Sequence, residues 1–527
     1  MEISSNDVML AIRKLKGGKR DCKGLSTDHL KRAPILIHGI LAHLFNSMIA
    51  HGHVVPDMKI STLTPIPKNK NKSLSSSDNY RAIATSSVVG KVMDHVIHAK
   101  NVGVFSTSNL QFGYKPGHST VSCSFVMQEV IQHYVSRRTP ILSISLDASK
   151  AFDRIEFSSL FEFLIQKNMC ALTLRFLFHM YTAQKIRVRW QGALSDEERI
   201  SNGVKQGGVL SPWLFTVYMD ELLTKLRKLS VGCFLGTEYA GALCYADDLM
   251  LLSPTVSALK KMLLQVDNFA ATYKMTFNPA KSSFVVHGNY NTSSSDLKFT
   301  LMGRDIPHAP RVKHLGLVIG DDACAINVRN AVGDLHGRTN CLKAQFGHVH
   351  WRTCVHLFVA FCLHMYGCEL WDPCTPSTKQ FCVAVRKCFR HLLGLPATTH
   401  SVLLPPLNSA VIQPAEILHL NRTCNFVRMC YRGNNSLLNI SLNCALSGSR
   451  SNVAKSIARL CERHCCSRWD LLTSKSSLAI NTEEPTQALA DAVAEVLDII
   501  DGSHTIENGF LDEANVASDL LIALCTI

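Results

Sequence analysis

The segment "LCYADDLMLLS" (243–253) sets two adjacent carboxylates, Asp247 and Asp248, between two apolar runs. Carboxylates at the edge of a buried segment are costly unless a cation or hydrogen-bond donors compensate them. The runs are too short for helices and read as two strands, which puts both aspartates at a hairpin tip. A chain that keeps this arrangement needs a scaffold that brings positive charge to that tip.

A second carboxylate lies on a similar element. In "PILSISLDASKAF" (140–152), Leu142, Ile144 and Leu146 alternate with Ser143, Ser145 and Asp147. The period of two predicts a strand with Asp147 at its end, on the polar face. If the two elements are neighbours in one sheet, all three carboxylates face one point. Oxygen-only ligands suit a hard cation, and Mg2+ takes few protein carboxylates alongside water and phosphate oxygens. Two ions roughly 3.5–4 Å apart would clamp the attacking and leaving oxygens of a phosphoryl transfer.

The rest of the chain predicts an α+β fold. Ser86 or Ser87 is expected to cap a helix over "SSVVGKVMDHVI". "SPWLFTVYMDELLTKLRKL" (211–229) starts with Ser211 as expected N-cap and Pro212 at the first helical position. Its stripe of Phe215, Tyr218, Met219, Leu222 and Leu226 is core-facing. A second Ser-Pro start at Ser253 opens a helix with the stripe Leu259, Met262, Leu263, Val266 and Phe269. Strand, helix, helix, hairpin, helix and strand make an antiparallel sheet with helices on one face. Two basic surface segments precede it, 12–32 and the Ser-rich loop "PIPKNKNKSLSSSDNY" (65–80). Beyond about residue 330 the pattern is mostly helical, and "HLFVAFCLHMYGCELW" reads as a core helix rather than a membrane span.

The net charge of +14 is unevenly spread. Ten acidic residues and no Lys or Arg lie from Glu483 to the end, so residues 1–482 carry +24. A basic body of this size predicts a polyanionic partner such as nucleic acid. With no secretory pattern at the N-terminus, the 20 Cys are expected as reduced thiols. "CERHCCSRW" (461–469) lacks the paired spacing of a zinc site. The expected localisation is intracellular, in nucleus or cytoplasm, without a transmembrane segment.

Five blocks, in order, resemble the fingers and palm of reverse transcriptases from non-LTR retrotransposons of the jockey-like and related lineages. They are "PIPKNKNKSLSSSDNYRAIATSSVVGKVMDHVI", "QFGYKPGHST", "SLDASKAFDRI", "NGVKQGGVLSPWLFTVYMDELL" and "CYADDLMLLS". "MTFNPAKSSFVVHG" and "VKHLGLVIG" follow more weakly. The resemblance implies an RNA-directed DNA polymerase (a nucleotidyltransferase) with a right-hand fold, Mg2+ as two ions (Mn2+ as possible substitute), and an RNA template, a DNA primer and deoxynucleoside triphosphates as partners, with no membrane. It makes Asp147 and Asp247 metal ligands and Asp248 their supporting partner. Phe152 becomes a steric gate against a ribose 2′-hydroxyl, Arg81 grips the triphosphate, and Lys68 either assists it or is a solvated charge in a lysine-rich run. Gln206 and Gly207 lie under the incoming nucleotide. Lys281 is either a general acid near the pyrophosphate or a surface lysine. Leu315 and Gly316 belong to the hairpin that grips the primer end. Many relatives carry Pro where this chain has Ala82.

The expected organisation is a basic N-terminal extension (1–60), fingers and palm (61–325), a helical thumb-like region (326–435), and a C-terminal helical region with an acidic tail (436–527). No endonuclease pattern flanks the polymerase blocks, so no DNA-nicking activity is expected. Two other readings stand beside the enzyme. One is an idle polymerase fold kept for binding nucleic acid or left as a degraded element copy. The other is an RNA-making polymerase, which Phe152 and the Gln206–Gly207 block oppose.

Overall fold

A computed structural model of the chain describes residues 2–68, 73–290, 297–398, 415–447 and 451–464. The described chain divides into two compact units, Met1–Leu315 and Gly316–Ile527. The acidic end and most of the 461–469 cysteine cluster lie outside the described residues.

The centre of the first unit is an antiparallel four-stranded sheet in the order Ser283–His287, Ile141–Leu146, Asp248–Ser253, Ala242–Tyr245. The alternation in 141–146 puts Ile144 in the core, and Leu142 with it. Ser143 is equally buried, contrary to the one polar face the alternation implies. The strand is central, so both faces are covered. The Ser143 hydroxyl meets that cost with a 2.8 Å bond to Nε2 of His287 on the neighbouring strand.

Helices Thr120–Val135, Ser211–Lys228 and Val256–Tyr273 support the sheet. Both predicted stripes are fully buried: Phe215, Tyr218, Met219, Leu222 and Leu226 on one helix, Leu259, Met262, Leu263, Val266 and Phe269 on the other. Their starts differ from the expectation. Leu210 is already in the αR region and holds the N-cap position, so Ser211 is the first helical residue and caps nothing. Its hydroxyl bonds the buried Tyr181 phenol instead. Ser253 ends the sheet strand, and Thr255 is the cap of the next helix, accepting from the Ala258 amide at 3.3 Å. Ser87 caps Val88–Lys100 through the Gly90 amide.

A second sheet carries the basic loop. Strand Ile60–Pro67 pairs antiparallel with Tyr80–Ser86 and parallel with Lys185–Trp190. The 12–32 segment is more structured than a surface loop: it closes helix Ser5–Lys14 and contains Thr27–Arg32, which buries Thr27 and Leu30.

The second unit is helical, with Ala323–Phe346 and Pro376–Leu392 around a core that includes Trp351, Phe358, Trp371, Phe381 and Phe389. The segment expected as one core helix is buried but broken. It runs as Trp351–Leu357, a π-turn Phe358–Cys362 and a 3₁₀ turn Cys368–Leu370 entered through left-handed Gly367. A Cβ at Gly367 would sit 2.7 Å from Leu317 Cδ2, so the break is also a packing requirement. Among the described residues no helix is long and apolar enough to cross a membrane.

Candidate active site

The carboxylates are brought together by strand register. Leu146 pairs with Leu249, so Asp147 and Asp248 leave the ladder at the same end of adjacent strands. Tyr245 pairs with Asp248, which leaves Ala246 and Asp247 as a two-residue hairpin turn. Ala246 has φ 57°, the positive value that a primed hairpin turn needs at its first central position and that Gly usually supplies.

Their electrostatics are coupled. Burial raises the Asp247 carboxyl above its ordinary range, and the Asp147 charge adds to the rise while Arg81 opposes it. Asp248 is pushed up to about 6 by desolvation, Asp247 and Asp147. The Asp147 charge thus opposes the ionisation of Asp247 and Asp248, an environment a divalent cation would relieve. Among the described residues no three His, Cys, Asp or Glu side chains already close on a common metal-sized point. The three aspartates are oxygen donors of the type a hard cation takes, and they stand at one end of the sheet.

Cations surround this end of the sheet. Lys281 Nζ stands 3.8 Å from Asp147 Oδ2. Lys68 Nζ donates to the Asp78 carbonyl at 2.8 Å. Lys150 reaches Asp78 Oδ1 at 2.8 Å. This ion pair is the first cause of a lowered Asp78 carboxyl, with Lys68 and Lys281 contributing further. Lys150 adopts φ 51° three positions after Asp147. The sequence reading gave neither Lys150 nor Asp78 a role. A lysine at the left-handed position of "DASKAF" was the available signal.

Phe152 lies on a short 3₁₀ turn, Ala151–Arg154, and its ring stacks on Phe215 at 4.5 Å between centroids and 10° between planes. Its carbonyl accepts from the Val204 amide at 2.8 Å, so backbone and ring are both held. Gln206 and Gly207 sit against the Tyr80–Ser86 strand: the Gln206 carbonyl accepts from the Ala84 amide at 2.7 Å. Gly207 has φ 102°, and a Cβ there would fall 2.9 Å from the Ala84 carbonyl oxygen. The close approach that requires glycine is therefore made to the protein's own strand. Asp94, buried on helix 88–100, accepts from the Leu210 and Val209 amides behind this loop. Burial raises its carboxyl and depresses the Lys205 ammonium, each charge partly supporting the other.

Leu315 and Gly316 both have positive φ, 47° and 82°, and lie at the boundary between the two units. Tyr114, also left-handed at φ 58°, is close enough to Asp247 for that charge to help raise its phenol, after burial.

Residues 66–319 match the family model described as reverse transcriptase (RNA-dependent DNA polymerase). The Pol polyprotein from the type-1 retrotransposable element R2 of Popillia japonica is 27% identical over 282 residues, covering 53% of this chain and 39% of that protein. The RNA-directed DNA polymerase from mobile element jockey of Drosophila melanogaster is 25% identical over 291 residues, 53% of this chain and 31% of the relative. The probable RNA-directed DNA polymerase from transposon X-element of the same fly is 22% identical over 379 residues, 67% and 39% respectively. The chain thus spans well under half the length of these relatives. Among solved structures, telomerase from Candida Tropicalis with a fragment of telomeric RNA aligns over 77% of this chain and 67% of that chain, at 11% identity and TM-score 0.37, too loose to add to the argument. Residues 66–319 therefore resemble a reverse transcriptase domain, and the relatives they match are named as retrotransposon polymerases.

Proposed function

We propose that this chain is an RNA-directed DNA polymerase that adds deoxynucleotides to a primer 3′-hydroxyl on an RNA template. The observation that carries the reading is the placement of Asp147, Asp247 and Asp248 at one end of the antiparallel sheet, where burial raises the Asp247 and Asp248 carboxyls. The relatives favour an enzyme over an idle fold.

Asp147 and Asp247 would hold divalent metal, Mg2+ or in its place Mn2+, with Asp248 in support. When bound, the metal lowers the pKa of the 3′-hydroxyl and neutralises charge on the leaving pyrophosphate. Arg81, Lys68 and Lys150 bind the triphosphate, and Asp78 holds the Lys150 ammonium in the nucleotide's place. Lys281, beside Asp147, is placed to give a proton to the leaving pyrophosphate. Phe152, braced by Phe215, leaves no room for a 2′-hydroxyl. Gln206 and Gly207 line the floor under the nucleotide, and Leu315 and Gly316 steady the primer end. The net +24 of residues 1–482 supplies long-range attraction to the template–primer duplex.

The test supplies a primed RNA template, Mg2+ and the four deoxynucleotides. A product extended to the template end is expected. Binding of the duplex with no extension in either Mg2+ or Mn2+ would refute the polymerase and leave the idle-fold reading.

A further inference from the structure

The strained turn that carries Asp247 is held by a residue from a distant segment. Gln111 is fully buried. Its Oε1 accepts from the Ala246 amide at 2.9 Å and from the Gly113 amide at 2.9 Å, and its Nε2 donates to the Ala246 carbonyl at 3.3 Å. One side-chain amide thus reads both backbone groups of the residue between Tyr245 and Asp247. The backbone beside it completes the grip. Phe112 N–H donates to the Cys244 carbonyl at 2.8 Å, and Cys244 N–H to the Leu110 carbonyl at 2.9 Å. Gly113 closes the last side: a Cβ there would lie 2.5 Å from the Ala246 nitrogen.

A left-handed alanine costs free energy that neighbours must offset. A two-residue turn also leaves its inner amide and carbonyl without ladder partners. Gln111 supplies both from a fully buried position, and the Cys244 thiol is a second donor to the carbonyl at 3.0 Å. Asp247 is the next residue, so a shift of Ala246 is transmitted to its Cα through one planar peptide unit.

We infer that Gln111 is a positioning residue for catalysis: its amide clamps Ala246 and thereby sets where the Asp247 carboxylate stands. The inference rests on the polymerase reading for its consequence and on the hydrogen bonds alone for its geometry. Gln111 touches no reacting atom, so its loss acts on kcat rather than on nucleotide or duplex affinity.

The experiment uses the full chain and compares Gln111→Met, nearly isosteric but unable to bond, with Gln111→Glu, which keeps the two acceptor bonds. In Gln111→Met, kcat for primer extension is expected to fall by about 100-fold, the scale of a misplacement near 1 Å, with KM for deoxynucleotide and for primer–template little changed. Gln111→Glu is expected to recover most of that loss. Amide hydrogen exchange gives a readout independent of activity: the Ala246 amide is expected to exchange at least about tenfold faster in Gln111→Met, with Leu249 to Leu252 still protected. Wild-type kcat together with wild-type Ala246 exchange in Gln111→Met would overturn the inference. If Gln111→Met does not fold, Gly113→Ala pushes the same turn from its other side, and unchanged kcat there overturns the clamp. A wild type that extends no primer fails the polymerase reading only. The exchange comparison then decides the clamp by itself: faster exchange at Ala246 supports it and unchanged exchange rejects it.

Discussion

Phe152 is the side chain proposed as a selectivity wall. A ring alone is deformable, but this one lies flat on Phe215, itself fully buried on the 211–228 helix. Replacing Phe152 by Ala is expected to raise the efficiency ratio of ribonucleotide over deoxynucleotide use by about tenfold or more, measured as kcat/KM for each. An unchanged ratio contradicts the gate. Lys150 makes a second residue-scale prediction. Its ammonium pairs with Asp78, and on the proposed reading a triphosphate competes with that carboxylate for it. Lys150→Ala is expected to raise the nucleotide KM by about tenfold, the worth of one charge-assisted hydrogen bond. Asp78→Asn frees the ammonium and is expected to lower KM. Steady-state kinetics on both variants check the opposite signs.

Between elements, the consequential joint is the loop 205–210 against the Tyr80–Ser86 strand. Gly207 is there for its φ of 102° and for the 2.9 Å approach of a Cβ to the Ala84 carbonyl. Gly207→Ala is expected to destabilise the first unit by on the order of 1–3 kcal/mol, read from a urea transition. This joint also marks where sequence reading stopped. The strand alternation, the two helical stripes and the hairpin tip were legible, because each depends on residues within one turn or one strand of each other. Strand periodicity put Asp147 and the Asp247–Asp248 pair at element ends, and the register sets those ends side by side. The Gln111 clamp was not legible, because it joins positions 135 residues apart through side-chain geometry. The displaced Ser211 cap follows from Leu210 already holding helical backbone angles, one residue earlier than the Ser-Pro pair suggests. The broken 351–370 segment follows packing around Leu317 that no period reveals.

On the scale of the whole molecule, acid should act on each unit through a buried imidazole. His314 in the first unit and His419 in the second are 3% exposed, and burial pushes both down to about 4. The folded state holds them neutral while the unfolded chain protonates them near 6.5. Their stabilising contribution is therefore complete above about pH 6.5 and is lost as pH falls toward 4. Chemical denaturation across that window is expected to show falling stability, with a shallower slope in His419→Gln. An identical slope in that variant would contradict the assignment.

The carboxylates gathered at the end of one sheet are proposed to make a metal-dependent polymerase. Primer extension by wild type and Asp247→Ala, on an RNA template with Mg2+ and deoxynucleotides, tests it most directly. Template-length product from wild type and none from Asp247→Ala, with duplex binding retained in both, is the predicted result. Equal product from the two proteins, or none from either, would contradict it.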